Sequence, residues 1–129
     1  MITKAIQITI LVDDLDEAKD FYIEKLGFSV VNDMIFSSEW RYLTVAPQKD
    51  NATVFELLKA ETPEQKKQIG HQAGGQVLVM FESNNIEDDF SRMRAKGVVF
   101  NGIPAKVPGG KGVGFKDLYG NQFDLYQPD

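Results

Sequence analysis

The chain states one pattern twice. Gln7 to Phe28, QITILVDDLDEAKDFYIEKLGF, is matched by Gln76 to Val98, QVLVMFESNNIEDDFSRMRAKGV. Aligning Gln7 with Gln76 puts Val12 on Phe81, Asp13 on Glu82 and Phe21 on Phe90; one residue further on, Gly27 falls on Gly97. Each copy reads as an apolar strand, a polar corner, a short amphipathic helix and a glycine stop. A repeat of this length fixes the architecture before any single residue is interpreted. The expected organisation is one domain, 1–129, made of a module 1–58, a joint 59–75 and a module 76–129.

The local signals agree with that plan. Ile6, Ile8, Ile10 and Val12 alternate with Gln7, Thr9 and Leu11, the period of a strand. Asp13 or Asp14 can cap the following helix, whose stripe is Leu15, Ala18, Phe21, Tyr22 and Leu26. Gly27 suits the helix end. Phe28, Val30 and Val31 start a second strand that runs into a turn around Asn32 and Asp33. Trp40–Ala46 and Thr53–Leu58 read as the third and fourth strands, giving β-α-β-β-β.

The joint is polar, with Thr62 and Pro63 placed to start one helical turn. The second module repeats the order. Gln76 to Phe81 is a strand, and Ile86, Phe90 and Met93 form a helix stripe. Val98 to Phe100 is a strand, Val107 to Gly112 a tight turn, Val113 to Lys116 and Gln122 to Tyr126 strands. Gly109-Gly110-Lys111-Gly112 lacks the spacing and the helix of a phosphate loop and reads as a flexible flap. The fold class is therefore α+β, two similar halves with mixed sheets.

Composition narrows the function. A formal charge of -5 without a cluster of lysine or arginine argues against nucleic acid, which needs clustered cations. The absence of cysteine removes disulfides, thiol nucleophiles and thiolate metal sites. No apolar run is long enough to span a membrane, and the opening residues do not read as a signal peptide, so a cytoplasmic protein is expected.

Four polar positions are brought into correspondence by the repeat. The first strands offer Gln7 and Gln76. The last strands offer Glu56 and Asp124, in the parallel contexts VFELL and QFDLY. A carboxylate in an apolar strand needs a cation, a donor or water. Two acids and two amides round a divalent metal would satisfy that need; acids that simply face solvent would satisfy it equally.

At this point the chain resembles the glyoxalase/bleomycin-resistance/extradiol-dioxygenase superfamily, also called the vicinal oxygen chelate proteins. The likeness covers nearly the whole chain. It rests on ITILVDDLDEAKDFYIEKLGF, WRYLTVAP and FKDLYGNQFDLYQP. It implies two βαβββ modules forming a cupped, incomplete mixed barrel. It also implies metal ligands at Gln7, Glu56, Gln76 and Asp124. Family enzymes commonly have histidine at a first-strand position, whereas the only histidine here, His71, lies in the joint. Extradiol dioxygenases and fosfomycin-resistance enzymes depend on such histidines, so glyoxalase I-like lyases are the nearer comparison. Magnesium, manganese, nickel or zinc is the implied cofactor, and an all-oxygen donor set suits the hard cations best.

What the resemblance implies for activity is a lyase or isomerase that stabilises an enediolate-like intermediate, with Glu56 or Asp124 moving the proton. Arg41 would grip a substrate carboxylate through its planar fork. Trp40 and Tyr126, with Phe55 and Tyr119, would line an aromatic pocket. The alternative is a metal-free binder of the bleomycin-resistance kind, holding a small molecule. A third reading has the quartet as hydrogen bonds between amide and carboxylate. A small-molecule ligand and a homodimer are the partners the likeness implies.

Overall fold

The computed structural model describes residues 1–129, which divide into two compact units, 1–69 and 70–129. The first unit contains β1 (Gln7–Val12), α1 (Leu15–Asp20), β2 (Ser29–Ser37), β3 (Trp40–Ala46), β4 (Val54–Lys59) and α2 (Pro63–Gln68). Its sheet runs β1-β4-β3-β2, with β1 parallel to β4 and the other pairs antiparallel. Alternation divides its residues between two faces. Ile10, Val12, Leu43, Val45, Phe55 and Leu57 are buried, together with Ala18 and Tyr22. The opposite face carries Gln7, Thr9, Thr44 and Glu56, since Thr9 and Thr44 both stand in register with Glu56.

Asp14 caps α1 by accepting from the backbone of Glu17. The expected single helix then changes pitch. Phe21–Lys25 form a π-helical turn, in which the Leu26 backbone N–H donates to the Phe21 carbonyl at 3.2 Å. Both Phe21 and Tyr22 are buried there, with their rings edge to face at 5.6 Å. Gly27 follows at φ 78°, a left-handed turn that glycine makes without strain. The expected turn at Asn32 and Asp33 is corrected: β2 runs through both residues, and the reversal comes at Ser38 and Glu39. Cross-strand bonding of Asn32 to Thr44 and of Asp33 to Arg41 holds these turn-prone residues in the strand. In α2, Thr62 and Gln65 make the reciprocal capping box.

The second unit contains β5 (Val77–Glu82), α3 (Ile86–Ala95), β6 (Val99–Phe100), β7 (Ala105–Val107), β8 (Gly110–Lys116) and β9 (Gln122–Pro128). Its sheet runs β5-β9-β8-β6, with β7 also paired to β8, and neither sheet closes. Phenylalanines fill its core. The Phe81 and Phe123 centroids lie 5.3 Å apart, those of Phe115 and Phe123 5.5 Å, and those of Phe90 and Phe100 4.8 Å. The tight turn expected over Val107–Gly112 is instead a hairpin: Val107 pairs with Gly110 across Pro108-Gly109. Gly110 belongs to a strand because its Cα faces β9 closely; a Cβ there would lie 2.0 Å from the Gln127 carbonyl oxygen.

Candidate functional site

Glu56 stands mid-strand on the polar face of the first unit. Gln7 Nε2 donates to Glu56 Oε1 at 3.1 Å, and the Tyr42 hydroxyl donates to Gln7 Oε1. The amide therefore bridges a phenol and a carboxylate. Burial raises the Glu56 carboxyl above the ordinary glutamate range. Beside this chain, Asn32 Nδ2 donates to Thr44 Oγ1 at 2.9 Å, so this part of the face is knitted by its own side chains. Tyr42 is a residue that the sequence did not single out as a partner of the amide; strand alternation from Thr44 was the available signal.

Arg41 stands apart from Glu56. It lies in step with Leu43 and Val45, on the helix-covered side of β3, opposite to the face of Glu56. Its Nε and Nη2 donate to Asp33 at 2.8 and 3.0 Å, and its Nη1 donates to Asp16 of α1 at 2.7 Å. Lys19 adds a second cation to Asp33 at 2.8 Å. These hydrogen bonds drive the Asp33 carboxyl far below the usual range and hold the guanidinium firmly charged. The planar fork fastens α1 to the sheet edge rather than presenting itself beside Glu56. Trp40 is half exposed and stacks on Phe36 at 4.5 Å, walling an open cavity of about 760 Å³ together with Arg41, Ile35 and Glu61.

In the second unit, Asp124 is in register with Met80 on β5 and Gly114 on β8. It therefore occupies the place that Glu56 holds between Thr9 and Thr44. The repeat alignment of Gln76 with Gln7 is corrected by one residue. Gln7 stands opposite Val54, two residues before Glu56; opposite Gln122, two residues before Asp124, stands Val77. β5 then carries a β-bulge between Val77 and Val79 that β1 lacks. Gln76 precedes β5 in an exposed bend.

The last strand is aimed by the turn before it. The buried Asp117 carboxylate accepts from the backbones of Tyr119 and Asn121 at 2.9 Å, and Asn121 Nδ2 returns to it at 2.9 Å. Beyond that turn, Asp124 and Tyr126 line a cavity of about 470 Å³ with Met80, Ile103, Val107 and Leu125. Gly112 and Gly114 also line it, with the Asn101 side chain packed against Gly114.

Each unit by itself carries two of the four candidate donors, Gln7 with Glu56 and Gln76 with Asp124, and neither pair alone completes a divalent-metal shell. Neither unit gathers three or more histidine or carboxylate groups at metal-holding spacing. In the first unit, Gln7 turns its N–H, not its carbonyl, toward Glu56. In the second, Val77 and Met80 replace the first-strand oxygen donors in register with β9.

The Glyoxalase/Bleomycin resistance protein/Dioxygenase superfamily profile matches residues 4–125. An uncharacterized protein from Shewanella frigidimarina is 37% identical over 95% of this chain and 91% of its own length. Among solved structures, UcmS2 is 34% identical with a TM-score of 0.84, over 98% of both chains. TnmS3, an antibiotic binding protein from Streptomyces sp. CB03234, is 29% identical with a TM-score of 0.82, over 99% of this chain and 98% of its own. The repeated β-α-β-β-β units and the matched profile thus agree, and the chain belongs to the glyoxalase/bleomycin-resistance/dioxygenase superfamily.

Proposed function

We propose that this protein binds a small, largely apolar molecule and does so without a metal. One observation carries the reading: the cavity of about 470 Å³ in the second unit, walled mostly by apolar side chains, with the Asn101 amide and a single carboxylate. Small-molecule sites have this size and this mixture of apolar wall with few polar groups. The description of TnmS3 as antibiotic binding supports the same direction. A homodimer is part of the proposal, by likeness to small members of the superfamily. The test uses protein dialysed against a chelator and titrated with acridone, a flat neutral fluorophore. Saturable binding is expected, unchanged by added magnesium, manganese, nickel or zinc. Binding that appears only with one of those cations would overturn the metal-free reading.

A second reading is favoured by Glu56. Its raised carboxyl suits a group that takes and returns a proton, as a lyase or isomerase of the glyoxalase type requires. Turnover of a dicarbonyl hemithioacetal that disappears in Glu56→Gln would establish that reading. No turnover with any of the four cations would end it.

A further inference from the structure

The two units place a carboxylate at the same register position and surround it differently. Glu56 receives the Gln7 amide at 3.1 Å. Asp124 has no hydrogen bond or ion pair of its own, although it lines a cavity with Met80, Ile103 and Leu125. The nearby Lys111 faces away, toward Glu87 at 3.6 Å.

The neighbouring strand differs in the same sense. Opposite Glu56 stands Thr44, with Tyr42 two residues before it; opposite Asp124 stands Gly114, with Gly112 two residues before it. The second face lacks those two side chains, and neighbours take up part of the room: a Cβ at Gly114 would lie 3.3 Å from Asn101 Nδ2 and 3.6 Å from Asp124 Oδ1. A Cβ built at Gly112 would meet the Leu125 oxygen and the Val107 methyls at 3.5 to 3.7 Å, ordinary contact distances. The glycine is thus not required by crowding there, in contrast to Gly110, where the same atom would lie 2.0 Å from the Gln127 oxygen.

A carboxylate beside apolar walls is stabilised by a cationic donor. The Tyr126 ring on the same wall is a further attractive surface for a cation. The net charge of -5 adds long-range attraction of the same sign. We infer that the cavity of the second unit takes a flat organic monocation. Its ring lies in the cavity among Met80, Ile103 and Tyr126, past the open side of Gly112, and its protonated amine donates to Asp124. This rests on the small-molecule-binding reading and names the ligand class for that site.

The test titrates chelator-treated protein with three probes of one tricyclic skeleton: 9-aminoacridine as the cation, acridone as the neutral form and acridine-9-carboxylate as the anion. The cation should bind at least tenfold more tightly than acridone, and the anion most weakly, with the cation's advantage shrinking as salt is added. Asp124→Asn should bring the cation-to-neutral ratio close to one. Gly112→Val should weaken both cation and acridone at least tenfold, and Gly112→Ala, whose Cβ is sterically accommodated, should weaken them in the same order. Equal binding of cation and acridone by the parent, or an unchanged ratio in Asp124→Asn, would overturn the inference while leaving small-molecule binding in place. Unchanged affinities in both glycine variants would overturn the location. Failure of all three probes to bind would overturn the inference and the binding function together.

Discussion

The polar face of the first unit and the corresponding face of the second are built on one plan and finished in opposite ways. In the first, Tyr42, Gln7 and Glu56 form a continuous hydrogen-bonded chain, and Asn32 ties Thr44. In the second, the places of Tyr42 and Thr44 fall to glycines and that of Gln7 falls to Val77. One carboxylate is satisfied by its own chain; the other is left for something else to satisfy. Duplication supplies two equivalent positions, and a few side-chain volumes decide which of them becomes a cavity.

The largest expected effects test whether the two cores support their faces equally. Tyr22→Ala and Phe123→Ala each remove a side chain that is 0% exposed. Each should cost about 3–5 kcal/mol in chemical denaturation. A loss under about 1 kcal/mol for either would show that its sheet is not held by the buried face described.

The glycines of β8 sharpen the comparison next. Gly110→Ala should destabilise by roughly 1–3 kcal/mol, because the new Cβ drives into the Gln127 backbone. Gly112→Ala should change stability far less, because its Cβ meets only ordinary contacts. Equal losses would mean that both glycines serve packing and that the open side of Gly112 is incidental.

On the first face, Gln7→Leu removes the donor to Glu56 and leaves the Tyr42 hydroxyl without its acceptor. The expected cost is about 1–3 kcal/mol. The Glu56 carboxyl should rise further, followed by NMR titration; a fall would contradict the assigned bond. The pH dependence of Glu56 itself has a definite sign. Its folded pKa is raised by burial, so the folded state binds the proton more tightly than the unfolded chain. The penalty for ionising it is absent below the ordinary value of 4.5 and grows as pH rises from there through the folded value. Glu56→Gln should therefore gain stability relative to the parent as pH rises through that window. A gain in the other direction would contradict burial as the cause.

The smallest effect concerns the edge of the first sheet. Asp33 is depressed by Arg41 and Lys19, so its contribution is present above the ordinary value of 3.8 and fades as pH falls below it. Asp33→Asn should cost about 1 kcal/mol at neutral pH, as expected for a partly exposed network, and nearly nothing in strong acid. Equal losses at both pH values would show that the carboxylate charge is not what holds α1 to the sheet.

Much of this was legible in the sequence because it depends on local periodicity. Both modules, the strand Trp40–Ala46, the caps at Asp14 and Thr62 and the glycine stops at Gly27 and Gly97 follow from alternation, helical spacing and left-handed turns. The strand positions of Glu56 and Asp124 were legible for the same reason. What escaped depends on register between distant strands. The register puts Val77 rather than Gln76 at the place of Gln7, and β5 then carries a bulge that β1 lacks. The side of the sheet on which Arg41 stands depends on how β3 meets β4, which periodicity within β3 does not contain. Gly112, which lines the cavity, belongs to the run Gly109-Gly110-Lys111-Gly112 that reads as a flexible flap until its pairing with β9 is known.

The most direct test of the account is a two-dimensional amide NMR titration of chelator-treated protein with 9-aminoacridine. The predicted result is saturable shifts centred on Gly112, Gly114, Asp124 and Tyr126, with Gln7, Glu56 and Tyr42 little changed and no metal required. Shifts centred on Gln7 and Glu56, or shifts that appear only after a divalent cation is added, would contradict it.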